Sequence, residues 1–169
     1  MGMPAKLKNM NVFNDGVSYL GLATEVTLPK LGRSFEEYRA GGMDAPIRVD
    51  MGGTALEMET KLGGIVVQAL RQFGAVRHDA VMLRFAGAYQ DDATGIVQPV
   101  EVVVRGRHEE IDMGGAKPGD NTEHTVKSAL SYYKLIINGR TEIEIDVANM
   151  KFVVDGTDIL AAQRAAIGL

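Results

Sequence analysis

Two stretches of alternating side chains constrain this chain more than anything else in it: Glu101 to Asp112, EVVVRGRHEEID, and Leu130 to Val147, LSYYKLIINGRTEIEIDV. Successive side chains of a strand point to opposite faces, so alternation over more than the roughly six residues of a common strand specifies extended β-hairpins. Both faces of such hairpins have something to touch. No set of reactive side chains converges around them, so the pattern reads as a building block rather than a catalyst.

At 169 residues the chain fits one domain, long enough to bury roughly 70% of its unfolded surface as a monomer. The absence of cysteine excludes disulfides, thiolate nucleophiles and cysteine-ligated zinc, and fits assembly in a reducing compartment. The purely apolar runs, Val102 to Val104 and Ile65 to Val67 among them, fall far short of the roughly 20 residues of a membrane-spanning helix. The opening MGMPAKLKNMNVF has no apolar core of a secretory signal, and Lys6 stands where a myristoylation pattern needs Ser or Thr. A formal net charge of -4 has the wrong sign for gripping nucleic acid, and with no Trp the chain is poor in stacking platforms. Twenty glycines indicate many turns.

No repeat or linker divides the sequence, which is expected to form a single domain over residues 1–169. Residues 1–10, interrupted by Pro4, Lys6 and Lys8, are expected as an N-terminal arm. Asp15-Gly16, Asn138-Gly139 and Asp155-Gly156 mark tight turns. Strands are expected at 22–28, 47–51, 56–62, 81–90, 97–112, 124–137, 141–147 and 150–154. The segment 30–46, KLGRSFEEYRAGGMDAP, exceeds a normal connection and reads as functional or as a protruding hairpin. One packed helix is expected over Ile65 to Phe73, with Ile65, Val66, Ala69, Leu70 and Phe73 on the apolar side and Gln68, Arg71 and Gln72 opposite. A second, Asp158 to Ile167, is expected to be capped by Asp158 and stopped at Gly168. The fold class is mainly β.

The chain carries no recognisable catalytic constellation. His108-Glu109-Glu110-Ile111-Asp112 opens like a zinc-protease helix, but Asp112 replaces the second histidine and the context is a strand. His78, His108 and His124 read as surface or hairpin residues. Gly114 to Gly119 has a phosphate loop's outer glycines, yet Asp120-Asn121 stands where Lys and Ser or Thr belong. No calcium loop or nucleophile elbow is present. No catalytic, cofactor-binding or metal-ligating residue is therefore expected.

The strings NVFNDGVSYLG, VTLPKL, EEYRAGGMDAPIRVDMG, VEVVVRGRHEEIDMG, LSYYKLIINGR, EIDVANM and the terminal RAAIGL, in that order, resemble the major tail tube proteins of contractile-tailed bacteriophages, including those of R-type pyocins. The resemblance covers essentially the whole chain. It implies a tail-tube-type β-barrel or sandwich whose copies form hexameric rings, and rings that stack into the rigid inner tube of a tail. The implied partners are the chain itself, a tail sheath, baseplate or initiator and terminator proteins, and phage DNA passing non-specifically through the lumen. The implied location is the virion tail, assembled in the bacterial cytoplasm, with no membrane insertion. In a pyocin-type particle the same tube punctures without carrying DNA.

Within that frame the lumen is expected to be net acidic, because like charge lets DNA slide where a cationic wall would hold it. Glu57, Glu59, Lys61 and Glu101 are the lumen-lining candidates. Lys6, Lys8, Arg33, Glu36, Glu37, Tyr38, Arg39 and Met43 are candidates for contact between subunits or rings, and Arg71 and Gln72 for the sheath-facing side. Two other readings stand beside it: a small β-barrel hydrolase, which needs a site the polar residues do not advertise, and a monomeric β-barrel binding module.

Overall fold

Alternation becomes pairing in the computed structural model, which describes residues 2–169. The strands are β1 (Lys6–Asn14), β2 (Val17–Ser18), β3 (Ala23–Thr27), β4 (Arg33–Tyr38), β5 (Ile47–Gly53), β6 (Leu56–Leu62), β7 (Val81–Gln90), β8 (Val97–Asp112), β9 (His124–Ile137), β10 (Arg140–Asp146), β11 (Lys151–Val154) and β12 (Thr157–Asp158). The helices are α1 (Val67–Arg71) and α2 (Ala161–Ala166). Ten strands form one antiparallel sheet in the order β12-β11-β10-β9-β8-β7-β1-β2, from which β6 and then β3 branch at β9.

The branch is built by β9. Its first half, His124 to Leu130, pairs with β6, and Tyr132 to Ile137 pairs with β10. Opposite β8, Arg105 faces Tyr132 and Gly106 faces Leu130, which leaves Ser131 as the extra residue of a bulge. Bulges bend a strand and raise its twist, and here the bend separates a four-stranded half, β3-β6-β9-β8, from a larger half that includes β10, β7 and β1. The apolar faces of the two halves share one core: Met58, Leu62 and Val126 from the first, Val12, Leu83, Phe85, Val102, Val104 and Tyr133 from the second, with Val66 and Ala69 from the α1 segment. The sheet does not close on itself. Among the described residues β3 pairs only with β6, and Arg107 to Asp112 of β8 pairs only with β9.

Local sequence explains most boundaries. Asp15-Gly16, Asn138-Gly139 and Asp155-Gly156 all carry positive φ at both residues, the requirement of the type I′ turns that match strand twist. Gly106 has a different reason. A Cβ built there would sit 2.1 Å from the Ala129 carbonyl oxygen, so only glycine lets β8 cross β9 beside the bulge.

The protruding segment is a hairpin of its own. β5 pairs with β4, Tyr38 opposite Ile47 and Phe35 opposite Asp50, so the hairpin extends to Gly53, beyond the expected segment 30–46. Nearly all of its residues are exposed.

Other expectations shift. The arm expected over 1–10 ends early, because Lys6 to Met10 pairs with the long open edge of β7, and Lys8 reaches Asp92 at 2.9 Å. The mid-chain helix covers only Val67–Arg71: Val66 is extended (φ -119), no side chain caps the helix, and Ile65 and Phe73 are 65% and 58% exposed. Only Val66 and Ala69 of its intended apolar face are fully buried. The last helix starts at Ala161, and Asp158 accepts the Leu160 N–H at 3.2 Å from before its first turn. It ends as expected at Gly168 (φ +85), with Leu169 N–H on Arg164 O and Gly168 N–H on Ala165 O, a Schellman closure.

Gly106→Ala is expected to destabilise the chain by about 1–3 kcal/mol through overpacking against backbone. Urea denaturation checks this, with Gly115→Ala, which meets open space, as the near-neutral control.

Candidate assembly surfaces

The four-stranded half has one buried and one solvent-facing side, and the period of two decides which residues go where. On β6, Leu56, Met58, Thr60 and Leu62 are buried, which turns Glu57, Glu59 and Lys61 outward together. The register adds neighbours on the same side: Glu59, Lys127 and Glu110 form one row, and Glu25, Lys61, Thr125 and Asp112 another. Lys127 meets Glu57 at 3.0 Å, and Lys61 lies 3.5 Å from Glu25 and 3.7 Å from Glu123. Glu25 and then Glu123 hold the Lys61 ammonium above its ordinary pKa, and the hydrogen bond that Lys127 donates to Glu57 does the same for Lys127. Exposed pairs of this kind contribute little to stability. Their consequence is a field: Glu25, Glu57, Glu59, Glu109, Glu110 and Asp112 outnumber Lys61, Arg107 and Lys127, leaving the face net acidic.

Glu101 does not join that face. It lies on the larger half, where it meets Arg84 at 3.0 Å, and Arg84 stacks over the Phe13 ring at 4.6 Å.

The hairpin candidates are together but differ in role. Arg33 holds the root, bonding Asp50 at 2.9 Å and lying 5.2 Å over the Phe152 ring of β11. That bond, followed by the Gly52 N–H, depresses the Asp50 pKa. Arg39 closes the tip by donating to the Met43 carbonyl. Between root and tip, Glu36, Tyr38, Ile47, Val49 and Met51 share one side, and Phe35, Glu37, Arg48 and Asp50 the other. The first side is an exposed apolar strip. An apolar cleft of about 550 Å³ opens at the root, lined by Leu31, Leu56, Leu130, Ile143, Ile145 and Phe152 among others. Lys6 and Lys8 sit on β1 of the ten-stranded sheet, whereas the hairpin strands form a two-stranded sheet of their own.

Of the α1 pair, Arg71 is exposed but Gln72 turns inward. Its amide forms a reciprocal pair with buried Asn14 (2.8 and 2.7 Å), donates to Asp15 (2.9 Å) and accepts from His108 Nε2 (2.9 Å). His108 Nδ1 faces Ser128 Oγ at 3.0 Å, and Gln68 adds bonds to Tyr19 and to the Asn14 carbonyl. With Nε2 donating to an amide oxygen, Nδ1 accepts from the Ser128 hydroxyl, which is the neutral tautomer. Burial pushes the His108 pKa down, against an opposing pull from Asp15. The helix is thus latched to the sheet by side-chain amides, not by a broad apolar stripe. His108 and His124 are buried on the paired strands β8 and β9, which overturns the surface reading for both and keeps the hairpin one. The signal was in the sequence: His108 is in phase with the inward Val102, Val104 and Gly106.

No three His, Cys, Asp or Glu side chains among the described residues are grouped as a metal site. What the surfaces offer is edges, an acidic face and an apolar projection. The sequence profile of the phage tail tube protein FII family matches residues 4–168. The chain belongs to that family. It is 47% identical over 172 residues, covering all of both chains, to the tail tube protein of Escherichia phage P2. It is also 37% identical over 161 residues, 94% of this chain and 92% of the relative, to the major tail tube protein of Serratia phage KSP20. The fold is similar to a chain of the sheath–tube complex of an extracellular contractile injection system in its extended state, with TM-score 0.57 at 9% identity over 76% of this chain and 87% of the other. It is also similar to a chain of the anti-feeding prophage tube-terminating cap, with TM-score 0.60 at 10% identity over 80% and 93%. The family is a structural one, and the chain is a virion tail tube protein.

The latch makes stability pH-dependent in a defined direction. With His108 neutral in the fold and its pKa below the unfolded value, the unfolded chain takes up the extra proton as pH falls. The contribution is complete above the unfolded pKa of about 6.5 and is lost as pH drops from there toward the folded value. Urea denaturation at about pH 7.5 and pH 5.5 should show a smaller acid loss in His108→Gln than in the parent. Gln72→Ala, which strands buried partners, should lose about 1–3 kcal/mol at either pH.

Proposed function

We propose that six copies form a ring in which the half-sheets β3-β6-β9-β8 join edge to edge into a continuous barrel, acidic face inward, and that rings stack into the inner tube of a contractile tail. The observation that carries this reading is the pair of open edges. β8 from Arg107 and β3 along its outer side bound the same half-sheet, and every pairing between them is antiparallel. β3 therefore runs opposite to β8, so around a ring of equally oriented copies β8 of one meets β3 of the next as another antiparallel pair. Closure removes edges that would otherwise template aggregation.

The acidic face then lines the lumen through Glu57, Glu59 and Lys61 with their β8 and β9 neighbours, while Glu101 lies outside it. α1 covers the barrel's outer side, with Arg71 toward the sheath or a neighbour. The β4–β5 hairpin, carrying Arg33, Glu36, Glu37, Tyr38, Arg39 and Met43, projects to the adjacent ring, and Lys6 and Lys8 of β1 lie toward a neighbouring copy. Head-to-tail stacking of this kind is the heterologous geometry that gives filaments.

The tube works by rigidity and a smooth wall. The sheath contracts around it, it is driven through the bacterial envelope, and phage DNA passes without being held; in a pyocin-type particle it punctures without cargo. The subunit is not an enzyme and takes no cofactor. Sheath, baseplate or initiator, and terminator are its partners, consistent with the sheath–tube and cap assemblies named for its structural neighbours. Assembly takes place in the host cytoplasm, which the absence of cysteine suits.

Negative-stain electron microscopy of the concentrated protein, alone and with tail initiator, tests the reading. Hollow filaments of uniform width or six-fold rings are expected, and featureless monomers under both conditions would overturn it. Gly32 and Thr54 already share a backbone hydrogen bond of 3.0 Å at the hairpin root, so a short Gly-Ser link can replace residues 33–53. That variant should retain near-parental thermal stability, since the hairpin buries almost nothing, and should fail to form filaments.

A further inference from the structure

The chain path sets two apolar surfaces at opposite ends of the same half-sheet. β3 ends at Thr27 and β6 begins at Leu56 on the side where the β4–β5 hairpin projects. At the other end Ala23 faces Leu62, Gly63 N–H bonds the Leu22 carbonyl at 2.8 Å, and the loop Tyr19 to Leu22 abuts the entry to α1. That shoulder exposes Leu20, Leu22, Ile65 and Val67. β6 spans the distance between, about 23 Å for seven residues at strand rise.

We propose that the apolar side of the hairpin, Tyr38, Ile47, Val49 and Met51, seats on the α1 shoulder of a second copy in the adjacent ring. The inference rests on the stacked-ring reading above and names the surface that receives the hairpin. A projection at one end and a receptor at the other make a contact that repeats without closing, which is what continuous stacking requires. The hairpin strand β4, six residues and about 20 Å long, reaches along most of a neighbour's half-sheet.

Charge agrees with shape. The apolar side of the hairpin carries one ionised group, Glu36, in phase with Tyr38. On the shoulder, Arg71 lies one turn from Val67 on the same helix face. Among the described residues neither Glu36 nor Arg71 has an ion-pair partner within its own copy. A two-stranded hairpin is marginal alone in water, so burying this side against a partner also explains how the segment keeps its register.

Because the chain has no cysteine, a pair of introduced thiols reports the contact directly. In filaments of the Val49→Cys/Val67→Cys variant, oxidation should give a ladder of covalent multimers on non-reducing gels that collapses to monomer with reductant, while either single variant stays monomeric. Arg71→Glu should cut filament yield at least tenfold, and Glu36→Arg in the same chain should restore it. Filaments of normal width without a ladder would overturn the proposal while leaving the tube intact. So would a ladder obtained instead from Val49→Cys/Val147→Cys, because Val147 lines the apolar cleft and that ladder would seat the hairpin there. Absence of filaments from the parent protein, with initiator present, would overturn the stacked-ring reading itself and this one with it.

Discussion

The rest of the structure depends on backbone hydrogen bonding that one copy leaves unfinished. The bulge at Ser131 bends β9, so β7 follows β8 only as far as Gly106, and the second half of β8 carries an unpaired row of N–H and C=O groups. β3 ends the same half-sheet with another. In a monomer those rows are hazards. In the proposed ring they would be the joints, and the polar side chains between them would form the wall of a channel. Bulge, glycine and edge form one device: Gly106 permits the close crossing, the bulge separates the halves, and the separation exposes the edge.

Packing inside the copy serves that device. The two halves share an apolar core, but α1 is fixed mainly by a buried polar network through Gln68, Gln72, Asn14, His108 and Ser128. Fully satisfied networks specify one arrangement more sharply than apolar contact does. A short helix held this way presents Val67 and Arg71 at a fixed position, which is useful if that position is a receptor. The network joins β1, β8 and β9 to the helix, tying the open half-sheet to the larger half at its middle.

Much of this was legible because a strand's period of two leaves little freedom. The spans of β6, β7, β8 and β9 follow from alternation, the type I′ turns from Asx-Gly pairs, and the shared face of Glu57, Glu59 and Lys61 from the buried phase of Leu56 and Met58. What was not legible depended on long-range pairing. Nothing local tells that Lys6 begins a strand, since its partner Gln90 lies far along the chain and Leu7 to Asn9 is irregular. Alternation alone groups Glu101 with Glu57, because a bulge that divides one strand's neighbours leaves no mark in composition. A 3.6-residue pattern turns Gln72 outward because it scores an amide as polar, although buried His108 supplies the partner that brings it in.

The central claim is that β8 of one copy pairs with β3 of the next. Amide hydrogen exchange, measured on dispersed subunits and on assembled filaments, reads it strand by strand. The edge-facing amides of Arg107 to Asp112 and of Thr24 to Thr27 should exchange rapidly in the dispersed protein and slow by orders of magnitude together on assembly, while Val102 and Val104 are protected in both states. Filaments in which both segments still exchange as fast as in the free subunit would contradict the account.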